Sequence, residues 1–157
     1  MTGQLLALAV ALLGVAAVFG TDVFFCVVGR AALARVSDAA LVETMGRLHE
    51  VADRRMPIFG VMGIGGALAS LAWSRVSLGW VLSAVAVQLV WLGVYRRVSA
   101  PVNGELTRAA RAGSLLAGAR ALQARWDSVI VARVLLIGAA MVALVVAIAV
   151  AAARSAP

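Results

Sequence analysis

Long apolar runs constrain this chain more than any other feature of its sequence. The first extends from Leu5 to Val28, broken only by Gly14, Gly20, Thr21 and Asp22. As a helix rising about 1.5 Å per residue it would be ~36 Å long, enough to cross a ~30 Å hydrocarbon core with some tilt. Three further runs follow at Pro57–Trp73, Leu78–Tyr95 and Trp126–Ala153. Only 13% of the residues are charged and the mean hydropathy is +1.03, whereas soluble domains carry about a quarter charged residues. A backbone in lipid must satisfy its own hydrogen bonds, which leaves helices as the structure for runs of this length. The expected fold is therefore all-α: a polytopic membrane four-helix bundle in one domain covering 1–157. Its spans are expected at about 5–28, 57–73, 78–95 and 127–153, with two cytoplasmic amphipathic helical connections.

A cleaved signal is the competing explanation of the first run, because Ala31-Ala32-Leu33-Ala34 resembles a cleavage site. The run is too long for that, lacks a basic leader and contains Asp22. The second run is rich in Gly60, Gly63, Gly65 and Gly66, the small residues that let helices approach closely in lipid. A tight turn at Ser74–Ser77 joins it to the third. Trp73, Trp80, Trp91 and Tyr95 lie near span ends, as an interfacial aromatic belt does.

The connections are patterned too. Between Arg30 and Arg55, Ser37 or Asp38 can cap a helix in which Leu41, Met45, Leu48 and Ala52 form an apolar stripe. Met56-Pro57 ends it and starts the next. Arg96-Arg97 is expected to stop the third span, and Ala100-Pro101-Val102-Asn103 to form a turn. An amphipathic helix capped at Asn103 should then run to about Gln123, weakened at Gly113-Ser114.

All 14 basic residues are arginine, against seven acids, giving a net charge of +7. The arginines sit beside apolar spans, which makes the membrane surface their counter-charge and excludes nucleic acid as a partner. Apart from Arg133, they fall in the first and third connections, leaving Arg75 and Arg154 for the other side. By the positive-inside bias the protein is expected in the cell membrane, multi-pass, with its long loops cytoplasmic and both termini outside. Ser99–Arg133 reads as a segment that caps the cytoplasmic mouth of the bundle, its arginines between Asn103 and Trp126 being membrane-facing anchors. Cys26 is the single cysteine, so an internal disulfide and a CxxC redox pair are excluded.

Two charges lie inside the spans. Asp22 and Arg133 are each about two turns from a cytoplasmic end, a depth of ~10 Å. Charges at that depth cost several kcal/mol unless paired or wet, so we expect the two to meet, either as a structural ion pair or as part of a site. A snorkelling Arg133 is the alternative. Trp126 and Arg133 stand seven residues apart on one face with Ile130 between them. An indole and a guanidinium on one stripe can hold a flat anionic or aromatic ligand, although a belt tryptophan explains the pair equally simply. His49 is the only histidine, and Asp53, four residues on, can orient it as a general base. The more ordinary expectation for His49 is a solvated side chain. One histidine with carboxylates is too thin a set for zinc, so no metal site is expected.

Taken together, these residues resemble the DUF1772 family of anthrone-oxygenase-like small membrane proteins. The matching features are Gly20-Thr21-Asp22-Val23-Phe24-Phe25, Arg55-Met56-Pro57, Ala100-Pro101-Val102-Asn103, and Arg125-Trp126 with Arg133 and an apolar tail. Ile130 stands where many members carry a histidine. The resemblance implies oxidation of a polyketide anthrone to a quinone with no metal or flavin, O2 being the co-substrate. His49 or Asp22 would then be the base, with Arg133 as the third catalytic residue. Arg133 and Asn103 would stabilise negative charge, Trp126 would stack, and Trp126, Asn103 and Asp53 would bind the substrate. The partners expected are the lipid bilayer and a hydrophobic aromatic small molecule, with a homo-oligomer left open. A non-catalytic structural or assembly protein is the alternative; a small-molecule or ion carrier is a third, disfavoured by the few polar residues along the spans.

Overall fold

The computed structural model describes residues 2–154, and the regular structure among them is all helical, joined by short turns. Helix α1 spans Thr2–Leu33, α2 Asp38–Arg55, α3 Pro57–Ser70, α4 Leu78–Ala112 and α5 Ala119–Ala153. Three of them, α1, α4 and α5, with 32, 35 and 35 residues, are long and apolar enough to cross a membrane, as a membrane protein requires. The 14-residue α3 is shorter, and as a helix it measures about 21 Å.

Two of the long helices extend past their expected ends, and each contains a π-helical turn near that point. Arg96-Arg97 does not stop α4, and Ala100–Asn103 is helix rather than a turn. Pro101 has no N–H and its ring would clash with the carbonyl four residues back. A π-helical turn at Tyr95–Ser99, closed by the Ala100 N–H on the Tyr95 carbonyl, widens the helix just before the proline and lets it continue. A second π-helical turn at Phe25–Gly29, closed by the Arg30 N–H on the Phe25 carbonyl, lies within α1. Helix α4 then ends at Gly113, not near Gln123. With φ +59°, Gly113 donates to the Ala110 carbonyl at 3.2 Å and Ser114 to the Ala109 carbonyl at 3.1 Å, the paired bonds of a Schellman cap.

The chain forms two compact units. One comprises the chain up to Gly20, Pro57–Trp91 and the chain from Leu135; the other comprises Thr21–Met56 and Leu92–Val134. In the first, Leu8, Ala11, Val15, Ala67, Val81, Ala84, Ala140 and Leu144 make the core. Glycines bring α1 against α3 at backbone distance: a Cβ on Gly14 would lie 2.5 Å from the Phe59 carbonyl oxygen, and one on Gly66 2.8 Å from that of Ala7. Close approach of this kind is how helices associate in lipid, where burial supplies no drive. Gln4, buried, donates to the Ser74 carbonyl at 3.2 Å and to Ser77 Oγ at 3.3 Å.

The second unit holds all seven acids and twelve of the 14 arginines of the sequence. Ser37 caps α2, its Oγ accepting from the Ala40 N–H at 3.2 Å. The buried stripe of α2 is Leu41, Val42, Met45, Gly46 and His49, whereas Leu48 is 47% exposed. Leu41 and Met45 of the expected stripe are thus buried, but the buried face takes in Val42, Gly46 and His49 in place of Leu48. The reason is Gly46, which lets α4 approach so closely that an added Cβ would stand 2.5 Å from the Leu106 carbonyl oxygen, while Thr107 Oγ1 donates to the Gly46 carbonyl at 3.1 Å. Val102, Leu106, Ala109, Ala119, Trp126 and Ile130 complete this core.

Two arginines expected to be membrane anchors, Arg111 and Arg120, are cross-links instead. Arg111 reaches Glu50 through Nε and Nη2 at 3.1 and 3.0 Å, and this pairing holds the Glu50 carboxyl below its usual range. Arg120 donates to Asp38 Oδ1 at 2.7 Å, to the Leu33 carbonyl at 2.8 Å and to the Val36 carbonyl. One guanidinium therefore ties the end of α1, the connection after it and the start of α2.

Candidate functional site

The polar interior of the second unit is built around Trp126. Its indole is 3% exposed and donates from Nε1 to Asn103 Oδ1 at 3.1 Å. Asn103 in turn donates from Nδ2 to Asp53 Oδ1 at 2.9 Å, and Tyr95 Oη donates to the same oxygen at 2.7 Å. A hydrogen-bonded chain thus runs from the half-buried Tyr95 through Asp53 and Asn103 to the buried indole. Asn103 stands in this chain from within a helix, so the Asn103 cap expected from the sequence is absent.

Arg133, 6% exposed, lies over the indole ring. Its guanidinium carbon is 5.2 Å from the centroid of the Trp126 ring and 5.7 Å from that of Tyr95, within cation–π range of both. It donates to Asp22 from Nη2 at 2.5 Å and from Nε at 3.2 Å, and from Nη1 to Ser99 Oγ at 2.8 Å. Asp22 is 1% exposed and Ser99 0%. The expected meeting of Asp22 and Arg133 is therefore present, in the two-pronged form in which a planar guanidinium matches a carboxylate, and Arg133 does not snorkel. Helical periodicity supplies the geometry: Trp126, Ile130 and Arg133 are all buried on one stripe of α5.

His49 is not solvated, as the ordinary expectation held, but 5% exposed. It faces Trp126 with ring centroids 5.9 Å apart, and Phe25 meets the same indole edge-on at 5.4 Å. Burial lowers the imidazole pKa from 6.5 to about 4, Asp53 opposes that shift and Arg133 adds to it. The ring is thus neutral at physiological pH. Its Nε2 has no hydrogen-bond partner, a condition shared by Gln123 Oε1 among the buried side-chain atoms described. Asp53 is bound by Tyr95 and Asn103, so its carboxylate acts on His49 as a nearby charge. No group of three or more His, Cys, Asp or Glu side chains among the described residues is placed to hold a metal ion.

All six residues singled out in the sequence, Asp22, His49, Asp53, Asn103, Trp126 and Arg133, belong to this one cluster. Sequence reasoning missed three members. Tyr95 reads as a belt aromatic, Ser99 as the start of a loop, and Phe25 as one more apolar residue. A helix continuing through Pro101 would have placed Tyr95, Ser99 and Asn103 at four-residue steps, but proline argues for a break. Both π-helical turns contribute to the cluster, Phe25 from one and Tyr95 and Ser99 from the other, consistent with the tendency of such turns to occur at functional sites.

Comparison with protein-family models, with curated proteins and with solved structures finds no match to this chain. What the fold and the cluster define is a class: an all-helical protein with membrane-crossing helices and a buried ionic and aromatic centre.

Proposed function

We propose that this is a multi-pass membrane enzyme of the anthrone-oxygenase-like DUF1772 type, oxidising a hydrophobic aromatic with O2 and no metal or flavin. In this reading α1, α3, α4 and α5 form a four-helix bundle, the arginine-rich segments face the cytoplasm and both termini lie outside. The arginine distribution supports that orientation.

The observation that carries the catalytic reading is the buried, neutral His49 with an unpartnered Nε2 beside Trp126 and Arg133. A neutral imidazole nitrogen is a base. It would take the benzylic proton of an anthrone, leaving a delocalised carbanion, and Trp126 would stack on that flat anion. The carbanion passes an electron to O2, and recombination forms a C–O bond and, once protonated, a hydroperoxide. Loss of water from it leaves the quinone carbonyl, so each anthrone and O2 yield one quinone and one water. Arg133 would favour the anionic stages by its charge, with Asp22 as its positioning partner rather than a base.

A second reading, a non-catalytic structural or assembly protein, draws on the same pair: a guanidinium bound by Asp22 and Ser99 is also what holds helices in register. The deciding measurement is O2 uptake by membranes supplied with anthrone, for the wild type, His49→Gln and Arg133→Ala. Removing a general base should cost about 100-fold or more. Equal rates in wild type and His49→Gln, both folded, would leave only the second reading.

A further inference from the structure

Asp53 also links two segments that carry four arginines. Its carboxylate accepts from Tyr95 and Asn103, which joins the end of α2, carrying Arg54 and Arg55, to the turn of α4 carrying Arg96 and Arg97. All four side chains are exposed. Arg54 reaches only Glu50, at 3.7 Å, an acid already bound by Arg111. Arg55, Arg96 and Arg97 make no ion pair among the described residues. Three of the four charges of this rim are thus without an ion-pair partner among the described residues.

Its level is set by the helix that carries it. Leu78–Val94 is 17 residues without a charge, and Arg96 follows directly after Tyr95. Such a segment is about 25 Å long, close to the thickness of a hydrocarbon core, so Arg96 and Arg97 emerge where phosphate headgroups lie. Guanidinium groups bind phosphodiesters through paired N–H donors.

We propose that Arg54, Arg55, Arg96 and Arg97 form a seat for the phosphodiester headgroup of an anionic phospholipid. The seat belongs to the protein whether or not the cluster behind it is catalytic.

The test uses the full chain, delipidated in neutral detergent and titrated with phosphatidylglycerol or phosphatidylcholine, with lipid binding read as a rise in Tm. Two variants of equal charge loss are compared. One carries Gln at Arg54, Arg55, Arg96 and Arg97; the other carries Gln at Arg30, Arg35, Arg108 and Arg125, which are exposed in the same unit. Phosphatidylglycerol should stabilise the wild type and phosphatidylcholine should not. The rim variant should lose at least about tenfold in apparent affinity, while the control stays within about twofold. The smaller change, Arg96→Gln with Arg97→Gln, should lose at least about threefold, and it serves if the fourfold variant fails to fold. Equal losses in rim and control variants, an undiminished response in the rim variants, or an equal stabilisation by inorganic phosphate would each overturn the seat.

Discussion

Arg133 and Asp22, 111 residues apart in sequence, share two hydrogen bonds at 2.5 and 3.2 Å with both side chains nearly inaccessible. Each charge is held by the other, and Ser99 takes a further donor of the guanidinium. Removing one partner strands a buried charge, which in proteins costs roughly 3–5 kcal/mol, whereas replacing both by apolar residues of similar volume is often neutral. Asp22→Asn and Arg133→Gln should therefore each lower stability by about that much in detergent unfolding, and Asp22→Leu with Arg133→Met should recover most of it. Single variants within about 1 kcal/mol of wild type would show that the pair is not structural.

His49 should make stability depend on pH. Its folded pKa of about 4 lies below the ordinary 6.5, so from pH 6.5 down to about 4 the unfolded chain binds a proton that the folded one refuses. Its contribution is fully present above pH 6.5, falls as pH drops through that window, and levels off below it. The total is roughly 3 kcal/mol as an upper figure. His49→Gln should remove this slope from a pH series of unfolding midpoints; an unchanged slope would place the titrating group elsewhere.

Two glycine substitutions should move stability in opposite directions. A methyl at Gly14 meets the Phe59 carbonyl oxygen at 2.5 Å and the Gly63 nitrogen at 2.7 Å, both backbone atoms that cannot give way. Gly14→Ala should cost about 1–3 kcal/mol. Gly65, within α3, has nothing within 4 Å, and Gly65→Ala should gain up to about 1 kcal/mol from helix propensity. Thermal midpoints of the two variants, measured side by side, check both signs.

Arg120→Ala should loosen one place without unfolding the rest. The side chain is the donor to the Leu33 and Val36 carbonyls and to Asp38, so its loss leaves the α1–α2 connection without its tie. Hydrogen exchange should rise at the amides from Val36 to Leu41 while the core of α2 stays protected. Faster exchange spread evenly over α2 would contradict this.

The sequence by itself determined the helical class, three runs long and apolar enough to cross a membrane, a cap at Ser37 or Asp38 and the small-residue contact of α3. Each of these is written in local composition or in a period of 3.6. It also singled out Asp22 and Arg133, because a charge in an apolar run needs a partner wherever it is. The tertiary structure decided the rest. His49 is inside because Gly46 draws α4 onto one side of α2, a rotation no periodicity encodes. Asn103, Ser99 and Tyr95 share a helix because a π-helical turn absorbs Pro101, a departure from the ordinary helix that local propensity argues against. Arg120 and Arg111 are ties rather than anchors because their carboxylates and carbonyls arrive from other helices. Local rules state what a segment prefers; which side chains meet depends on where its neighbours press.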